Sequence, residues 1–188
     1  MLLTLAGMLS SRKVDDLVFP AKIRALNFIA AARLAGIDLV VICTRRDAEA
    51  QDELYAIGRT RGDLDAAGLI HVEPRPGRIV TWARGGWSFH QFAVALDVLP
   101  LRHGKPVWGM SGDGIDDDPS DDERDDLELW QRVGAIGEAN GLQWAGRWPK
   151  AKREFPHFQF TGGLAIADFR AGKEIARALW MPQKREAA

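Results

Sequence analysis

Four histidines and one cysteine are the side chains of this sequence best suited to bind metal ions: His71, His90, His103, His157 and Cys43. A single cysteine excludes an internal disulfide and any zinc site built from several thiolates. A metal ion held by this chain must therefore use histidine, aspartate or glutamate side chains. Because an isolated histidine is more often a surface or hydrogen-bonded residue than a ligand, His71 and His103 are assigned no role.

The other two histidines have carboxylates close to them in sequence. His90 precedes Asp97 by seven residues, and His157 follows Glu154 by three. Two imidazoles and one carboxylate can supply the three protein ligands of a catalytic zinc ion, which keeps a fourth position for water. A separate carboxylate can then take a proton from water and pass it to a leaving amine, and Glu154 is the candidate. On spacing alone, a turn cap for Asp97 and a surface charge for Glu154 remain alternatives.

The spacing also sets a geometric requirement. On one continuous strand, the odd separation of His90 and Asp97 would place them on opposite faces. They can share a metal ion only if the chain bends between them, near residues 91–93. On a later strand, His157 and Gln159 share one face, and the neighbouring phenylalanines can pack into the core from the other.

Hydrophobic periodicity predicts the elements that must position these residues. In chain order they are a helix at 19–34 that Gly36 ends, a strand at 37–43, a helix at 47–58 that Asp47 can cap, and a functional loop at 60–87 with a short strand at 78–82. A strand at 94–99, a helix at 127–139, a strand at 155–160 and a helix at 164–180 follow. This order predicts an α+β fold, in which helices pack on a small, mainly antiparallel sheet. A dinucleotide-binding fold is excluded because no glycine-rich turn follows the first strand.

The composition is typical of a soluble globular protein, and we expect one domain over residues 1–188. The 188 residues, 46% of them hydrophobic, are enough to bury a core without disulfides. The net charge of −1 lacks the positive excess that sequence-independent nucleic-acid binding requires. No apolar stretch reaches the about 20 residues of a membrane-spanning helix, so no membrane insertion is expected. We expect a monomer.

The composition of three further segments predicts their character. Residues 1–9 are apolar, but no basic segment precedes them, so we expect them to pack on the domain of a protein made in the cytoplasm without a cleaved signal peptide. Residues 111–126 are acidic and are predicted to form a solvated loop, whose spacing does not match a calcium-binding EF-hand. Cation binding there is the weaker alternative. Residues 183–188 are predicted to be a frayed tail.

Four segments, in the right order, resemble the signatures of the zinc D-Ala-D-Ala carboxypeptidase and L-alanyl-D-glutamate endopeptidase family. The signature S-x-H-x-x-G-x-A-x-D is matched by Ser88, His90, Ala95 and Asp97, and an acidic residue followed by x-P-H-F-Q is matched by Glu154, Pro156, His157, Phe158 and Gln159. The segment YR-x4-Q-x-x-LY-x-x-GRT is matched by Arg46, Gln51, Leu54, Tyr55, Gly58, Arg59 and Thr60. The segment GL-x-WGG-x-W is matched by Gly141, Leu142, Trp144, Gly146 and Trp148. The similarity extends from about residue 10 to residue 160 and implies the hedgehog-like fold of these zinc peptidases.

The resemblance implies one zinc ion bound by His90, Asp97 and His157. It implies that Glu154 is the general base and later the general acid for a water held by that ion. Arg46 is implied to bind substrate or to stabilise the carbonyl oxygen as negative charge develops on it.

Three more residues receive supporting roles from the same resemblance. Ser88 is implied to support the site by hydrogen bonding, and Gln51 to contact substrate or to hold other site residues. Trp144 is implied to belong to the same group of substrate-binding or supporting residues.

The sequence departs from the family pattern at a few positions. Ala93 stands where the family has glycine, so we expect that a strongly positive φ there would strain the backbone. Thr44 and Arg45 replace a common Gly-Tyr pair, which leaves open which arginine faces the site. Ala145 and Arg147 replace a glycine and a frequent aspartate. The implied ligands and base are all present, so we expect an active enzyme.

The activity implied is hydrolysis of peptidoglycan stem peptides, with the L-alanyl-D-glutamate bond as the first expectation, as in phage endolysins that reach the cell wall through a lysis pathway. A D-Ala-D-Ala carboxypeptidase or dipeptidase of the same family is the closest alternative. A non-catalytic cell-wall-binding or phage structural module that keeps zinc is another. A glycosidase that uses Glu154 and Asp97 as a carboxylate pair is the weakest, and it predicts activity that resists metal chelators.

Overall fold

Five short strands form one sheet whose pairings are all antiparallel, in the order β1-β2-β5-β4, with β3 added beside β2. The computed structural model describes residues 10–108 and 122–181, without the side chains of 122–125 and 151. Its elements are α1 (Phe19–Leu34), β1 (Leu39–Cys43), α2 (Ala48–Tyr55), α3 (Arg61–Ala66), β2 (Ala95–Arg102), β3 (Lys105–Pro106), α4 (Asp122–Ala139), β4 (Gln143–Trp144), β5 (His157–Gln159) and α5 (Ile166–Arg170). The α+β class predicted from the order of elements is confirmed.

Helices α1 and α4 pack on one face of the sheet and bury the main core. Phe28 of α1 lies against Phe158 of β5, with ring centroids 4.7 Å apart, and Trp130 of α4 is fully buried nearby. Helix α4 approaches the sheet closely because two of its residues are glycines. A Cβ atom at Gly137 would lie 2.5 Å from the Phe158 ring, and one at Gly134 would lie 2.1 Å from a tryptophan ring of β4.

Several elements have the ends that the sequence predicts. The first helix agrees at both ends, and Gly36 after it has φ +76°, the left-handed conformation of a helix C-cap. Asp47 caps α2, because its side chain accepts a hydrogen bond of 2.8 Å from the Ala50 N–H. The first strand begins slightly later than predicted, and β2 runs beyond the predicted end to Arg102.

The prediction of a solvated loop through residue 126 is wrong for its last part, because α4 begins at Asp122. Asp126 is fully buried rather than solvated, and its carboxylate lies 2.7 Å from the guanidinium of Arg102 on β2. A buried carboxylate needs such a partner, which a charge count along the sequence does not reveal. The predictions for residues 1–9, 111–121 and 183–188 lie outside the described residues.

Two other predictions need correction. The stretch 60–87 contains α3, capped by mutual hydrogen bonds between Thr60 and Asp63, while residues 78–82 form no strand. The predicted last helix is divided: α5 ends at Arg170, Gly172 follows with φ +80°, and a 3-10 turn occupies Arg177–Leu179. In the part of the chain that is described, no helix has the length and apolar character needed to cross a membrane.

Candidate active site

Three neighbouring strands each bring one side chain to the same face of the sheet, away from the main core. Cys43 of β1 lies opposite Asp97 of β2, and Asp97 lies opposite His157 of β5. Directly opposed residues of an antiparallel pair project from the same face with their Cβ atoms close together. An irregularity between Val41 and Cys43 shifts the register of β1 and brings Cys43 into this row.

His90 reaches the same place from a 3-10 turn, Phe89–Phe92, directly before β2. The required bend is present: Ala93 follows in the left-handed conformation, with φ 53° and ψ 35°. Alanine therefore occupies a conformation that favours glycine, and it accepts the expected strain, about 1–2 kcal/mol. A hydrogen bond of 2.9 Å from the Val18 N–H to the Ala93 carbonyl helps to hold the bend.

The donor atoms of His90, Asp97 and His157 converge. Asp97 Oδ1 lies 3.2 Å from His90 Nε2 and 3.0 Å from His157 Nδ1, and these two nitrogens lie 3.2 Å apart. A tetrahedral zinc ion with bonds of about 2.0–2.1 Å separates its ligand atoms by about 3.3 Å. One carboxylate oxygen and two imidazole nitrogens are also ligands that zinc accepts. The donor set therefore fits zinc in both chemistry and spacing.

Each imidazole is oriented through its other nitrogen. His90 Nδ1 lies 2.8 Å from the Thr44 carbonyl oxygen, and His157 Nε2 lies 3.1 Å from Gln159 Oε1. Because both partners are acceptors, these nitrogens carry the protons, and the lone pairs of the other nitrogens face the cluster. Gln159 is itself oriented, since its Nε2 donates a hydrogen bond of 2.9 Å to Gln143 Oε1. Partners of this kind fix the tautomer of a metal-binding histidine.

The electrostatics of the cluster favour a positive charge between its donors. Burial alone lowers the pKa of His90, but the Asp97 carboxylate outweighs burial and raises the pKa of His90 to about 10 in the metal-free chain. Burial acts to raise the pKa of Asp97, which His90 and His157 nevertheless hold below its ordinary value. A divalent cation can supply that positive charge once His90 Nε2 has lost its proton.

The cluster opens into a cavity of about 780 Å³, which Glu154 also lines. Pockets that enclose whole ligands usually measure about 300–1,000 Å³. Burial raises the pKa of Glu154 above its ordinary value; interactions with His157, His90 and Arg46 oppose that shift, and Asp97 adds to it. A carboxyl group with a raised pKa both accepts and returns a proton more readily near neutral pH.

Arg46 is the arginine that faces the cavity, because Arg45 is exposed and Arg46 lies in the cavity lining. Its guanidinium is held in two places: Nη1 donates to Gln51 Oε1 at 2.9 Å, and Nη2 donates to Cys43 Sγ at 3.0 Å. A guanidinium fixed in this way can present its charge to a substrate oxygen at little entropic cost. Gln51 is thus placed to position Arg46.

Residues 79–88, the rim loop, form another side of the cavity. The rim loop forms neither helix nor strand, and hydrogen bonds from α2 and the turn after it fix its path. These bonds join Gln51 Nε2 to the Ala83 carbonyl (2.7 Å), Arg59 Nη2 to the Thr81 carbonyl (2.8 Å), and Asp52 Oδ1 to the Gly85 N–H (2.6 Å). Side-chain hydrogen bonds, rather than strand pairing, therefore hold the rim-loop side of the cavity in place.

Cys43 was not expected at the site. Among the described residues, its sulfur and one ligand atom each of His90 and Asp97 lie within 4.8 Å of one another, which makes a second possible donor set. The sulfur lies 3.5 Å from His90 Nδ1, however, which is the nitrogen bonded to Thr44, and it already accepts a hydrogen bond from Arg46. In the set of His90, Asp97 and His157, the donor atoms lie closer together and the lone pairs of the two nitrogens are free to bind a metal ion.

Trp144 and Ser88, the other two predicted supporting residues, have different surroundings. Trp144 does not line the cavity; it is buried in the core, where its ring stacks near Phe158 and its indole N–H donates to the Phe155 carbonyl at 2.8 Å. Trp148 lines the cavity in its place. Ser88 is buried in the lining, but its side chain does not cap the turn that follows it.

The sequence analysis assigned no site role to Cys43, Gln159 or Trp148. Gln159 carried a signal, since it shares a strand face with His157 and has an amide that can accept a hydrogen bond. Cys43 carried none, because its position depends on strand register. The choice between Trp144 and Trp148 depends on which indole faces the core, and both fall in one matched segment.

Comparison with known proteins finds similarity to peptidoglycan peptidases. Residues 82–160 match a family model described as D-alanyl-D-alanine carboxypeptidase. The peptidoglycan L-alanyl-D-glutamate endopeptidase CwlK of Bacillus subtilis (strain 168) is 35% identical over 131 residues, which are 69% of this chain. The chain spans 65% of the length of that relative.

Similar solved structures share little sequence with the chain. The Serratia marcescens L-Ala D-Glu endopeptidase ChiX matches with a TM-score of 0.41 and 17% identity, over 86% of this chain and 92% of that one. The vancomycin resistance D,D-pentapeptidase VanY, crystallised with Zn(II), matches with a TM-score of 0.49 and 17% identity, over 89% and 86% of the two chains.

Proposed function

We propose that this chain, whose residues 82–160 match the family model described as D-alanyl-D-alanine carboxypeptidase, is a zinc metallopeptidase that hydrolyses the L-alanyl-D-glutamate bond of peptidoglycan stem peptides. The observation that carries the proposal is the convergence of two imidazole nitrogens and one carboxylate oxygen, 3.0–3.2 Å apart, in a cavity that also holds Glu154. The 35% identity to CwlK supports this choice of bond.

In this proposal His90, Asp97 and His157 hold the zinc ion. When bound, zinc polarises the scissile carbonyl and lowers the pKa of water. Glu154 takes a proton from the attacking water as its oxygen bonds to the carbonyl carbon. Glu154 then returns that proton to the amine nitrogen as the carbon–nitrogen bond breaks, which leaves a carboxylic acid and a neutral amine. The remaining proton of the acid passes to the amine, so the final products are a carboxylate and an ammonium group.

Arg46 has a different task in the same reaction. Negative charge grows on the carbonyl oxygen as water adds, and a fixed guanidinium stabilises that charge more than it stabilises the neutral carbonyl. Gln51 and Cys43 keep the guanidinium in one position by accepting its hydrogen bonds. The contribution of Arg46 therefore depends on these two neighbours.

A D-Ala-D-Ala carboxypeptidase is the second candidate, and the description of the matching family model favours it. It uses the same ligands and base on a different bond. The two candidates differ in where the substrate ends, because a carboxypeptidase must accommodate a terminal carboxylate beside the scissile bond.

Digestion of purified peptidoglycan, followed by mass spectrometry of the products, tests the proposal. We expect new fragments that begin with D-glutamate and partners that end in L-alanine. A chelator should stop the reaction, and added Zn²⁺ should restore it. Release of D-alanine instead would favour the second candidate, and cleavage that resists chelation would favour a glycosidase.

Binding to peptidoglycan with retained zinc and no product would identify a non-catalytic module and contradict the proposal. Delivery of the protein to the cell wall through a phage lysis pathway stays a prediction. So does a monomeric state, which size-exclusion chromatography with light scattering can measure.

A further inference from the structure

The rim loop exposes several large apolar side chains to solvent. Trp82 is 63% exposed and Trp87 is 43% exposed, with Ile79 and Val80 also exposed beside them. Both tryptophans line the catalytic cavity, and so does Val80. Exposed apolar groups concentrated at a cavity mark a binding surface, because exposure of large aromatic rings otherwise lowers solubility without benefit.

Arginine side chains steady both indole rings. The guanidinium carbon of Arg170 lies 4.0 Å from the centroid of the Trp87 ring, and that of Arg59 lies 5.7 Å from the Trp82 ring. Arg59 is buried and fixed by its bond to the Thr81 carbonyl. Cation–π contacts of this kind restrain a ring, so the two indoles are presented in defined positions.

We propose that Trp82 and Trp87 bind the amino sugar to which the stem peptide is attached, so that the enzyme recognises glycan and peptide together. This inference rests on the proposed function. In peptidoglycan, the L-alanine is amide-linked to the lactyl group of a muramic acid residue. One residue, about 3.5 Å of extended chain, therefore separates the scissile carbonyl from that amide. When the bond is at the cluster, the sugar therefore lies close to the cluster, and the rim loop lines the same cavity.

The chemistry of the rim loop matches a sugar. The C–H groups on one face of a pyranose ring are weakly positive and pack on the negative face of an indole. The hydroxyl and acetamido groups around the ring require hydrogen-bonding neighbours, and the polar residues Thr81 and Arg84 line the same cavity. A cavity of about 780 Å³ also has room for more than the dipeptide at the scissile bond.

The test compares two substrates in matched variants. One substrate is the stem peptide with an acetyl group on L-alanine; the other is the same peptide carrying the GlcNAc–MurNAc disaccharide. Trp82→Ala should lower the ratio of kcat/KM for the disaccharide substrate to that for the acetyl peptide by about 3- to 10-fold, and Trp87→Ala should lower it in the same direction. Trp108→Ala is the control, because Trp108 is also 63% exposed and does not line the cavity.

A ratio that stays at the wild-type value in both Trp82→Ala and Trp87→Ala overturns the inference. Titration of the wild type, Trp82→Ala and Trp108→Ala with the disaccharide alone, followed by tryptophan fluorescence, gives a readout independent of hydrolysis. Weaker binding by Trp82→Ala alone supports the inference, and equal affinity in all three proteins contradicts it. Failure of the wild type to cut either substrate would instead contradict the proposed function.

Discussion

The sheet side and the rim-loop side of the cavity are built in different ways. On the sheet side, Asp97 and His157 are directly opposed residues of adjacent strands, so backbone hydrogen bonds fix their spacing. On the other side, the rim loop has no strand partners, and Gln51, Arg59 and Asp52 hold it through their side chains. The sheet side carries the metal-ligand candidates, and the rim-loop side carries exposed aromatic rings.

The difference shows how one cavity combines precise and adaptable parts. Metal ligands tolerate only small errors in position, and a paired strand supplies that precision. Recognition of an extended substrate tolerates more variation, and loops held by a few side chains provide it. Substitutions on the two sides should therefore fail differently: the first in metal content and chemistry, the second in substrate affinity.

The largest effect is expected on the sheet side from His157→Ala. Removal of one of three ligands should abolish both zinc retention and hydrolysis, because two remaining donors hold the ion weakly. Metal analysis of the purified protein and kcat/KM on the stem peptide measure the two losses. His71→Ala is the matched control, since His71 is exposed. Full activity of His157→Ala would exclude this residue as a ligand.

Glu154→Gln should separate chemistry from metal binding. The amide keeps the size of the side chain but cannot accept the proton of water, so kcat should fall by about 100- to 10,000-fold. The zinc content should stay near that of the wild type, because Glu154 is not in the proposed ligand set. Retained hydrolysis would remove Glu154 from the mechanism, and lost zinc would make it a ligand.

Two buried glutamines allow a direct comparison of the two sides. Gln159→Ala removes the acceptor that orients His157 and should weaken zinc affinity by about 10- to 100-fold. Gln51→Ala releases Arg46 and the rim loop and should instead lower kcat and raise KM, with zinc affinity unchanged. Zinc titration against a competing chelator and steady-state kinetics distinguish the outcomes. Equal loss of zinc affinity in both variants would contradict the division of roles.

The smallest effect is expected at the bend before β2. Ala93→Gly removes the strain of the left-handed conformation, which stabilises the fold, but it raises the entropy of the unfolded chain, which destabilises the fold. These two effects nearly cancel, so the free energy of unfolding should change by less than about 1 kcal/mol. Ala93→Val should destabilise the protein more, because a β-branched residue rarely adopts a positive φ. Thermal unfolding measures both variants. Equal stability of Ala93→Val and wild type would show that the bend does not need this conformation.

Local patterns in the sequence were sufficient for several elements. The helix at 19–34, its end before Gly36 and the Asp47 cap depend on neighbouring residues, so they follow from periodicity and side-chain type. The buried Asp126 could not be predicted in this way. Its carboxylate is neutralised by Arg102, which is distant in sequence and reaches it only through the fold.

For the site, the sequence by itself determined which residue types are available and, through four ordered motifs, which family the chain resembles. It also required a bend between His90 and Asp97. Only the tertiary structure decided that Ala93 makes this bend, that Cys43 lies beside His90, and that Trp148 rather than Trp144 faces the cavity. These outcomes depend on strand register and on competition for space in the core, and both are set by contacts between residues far apart in the chain.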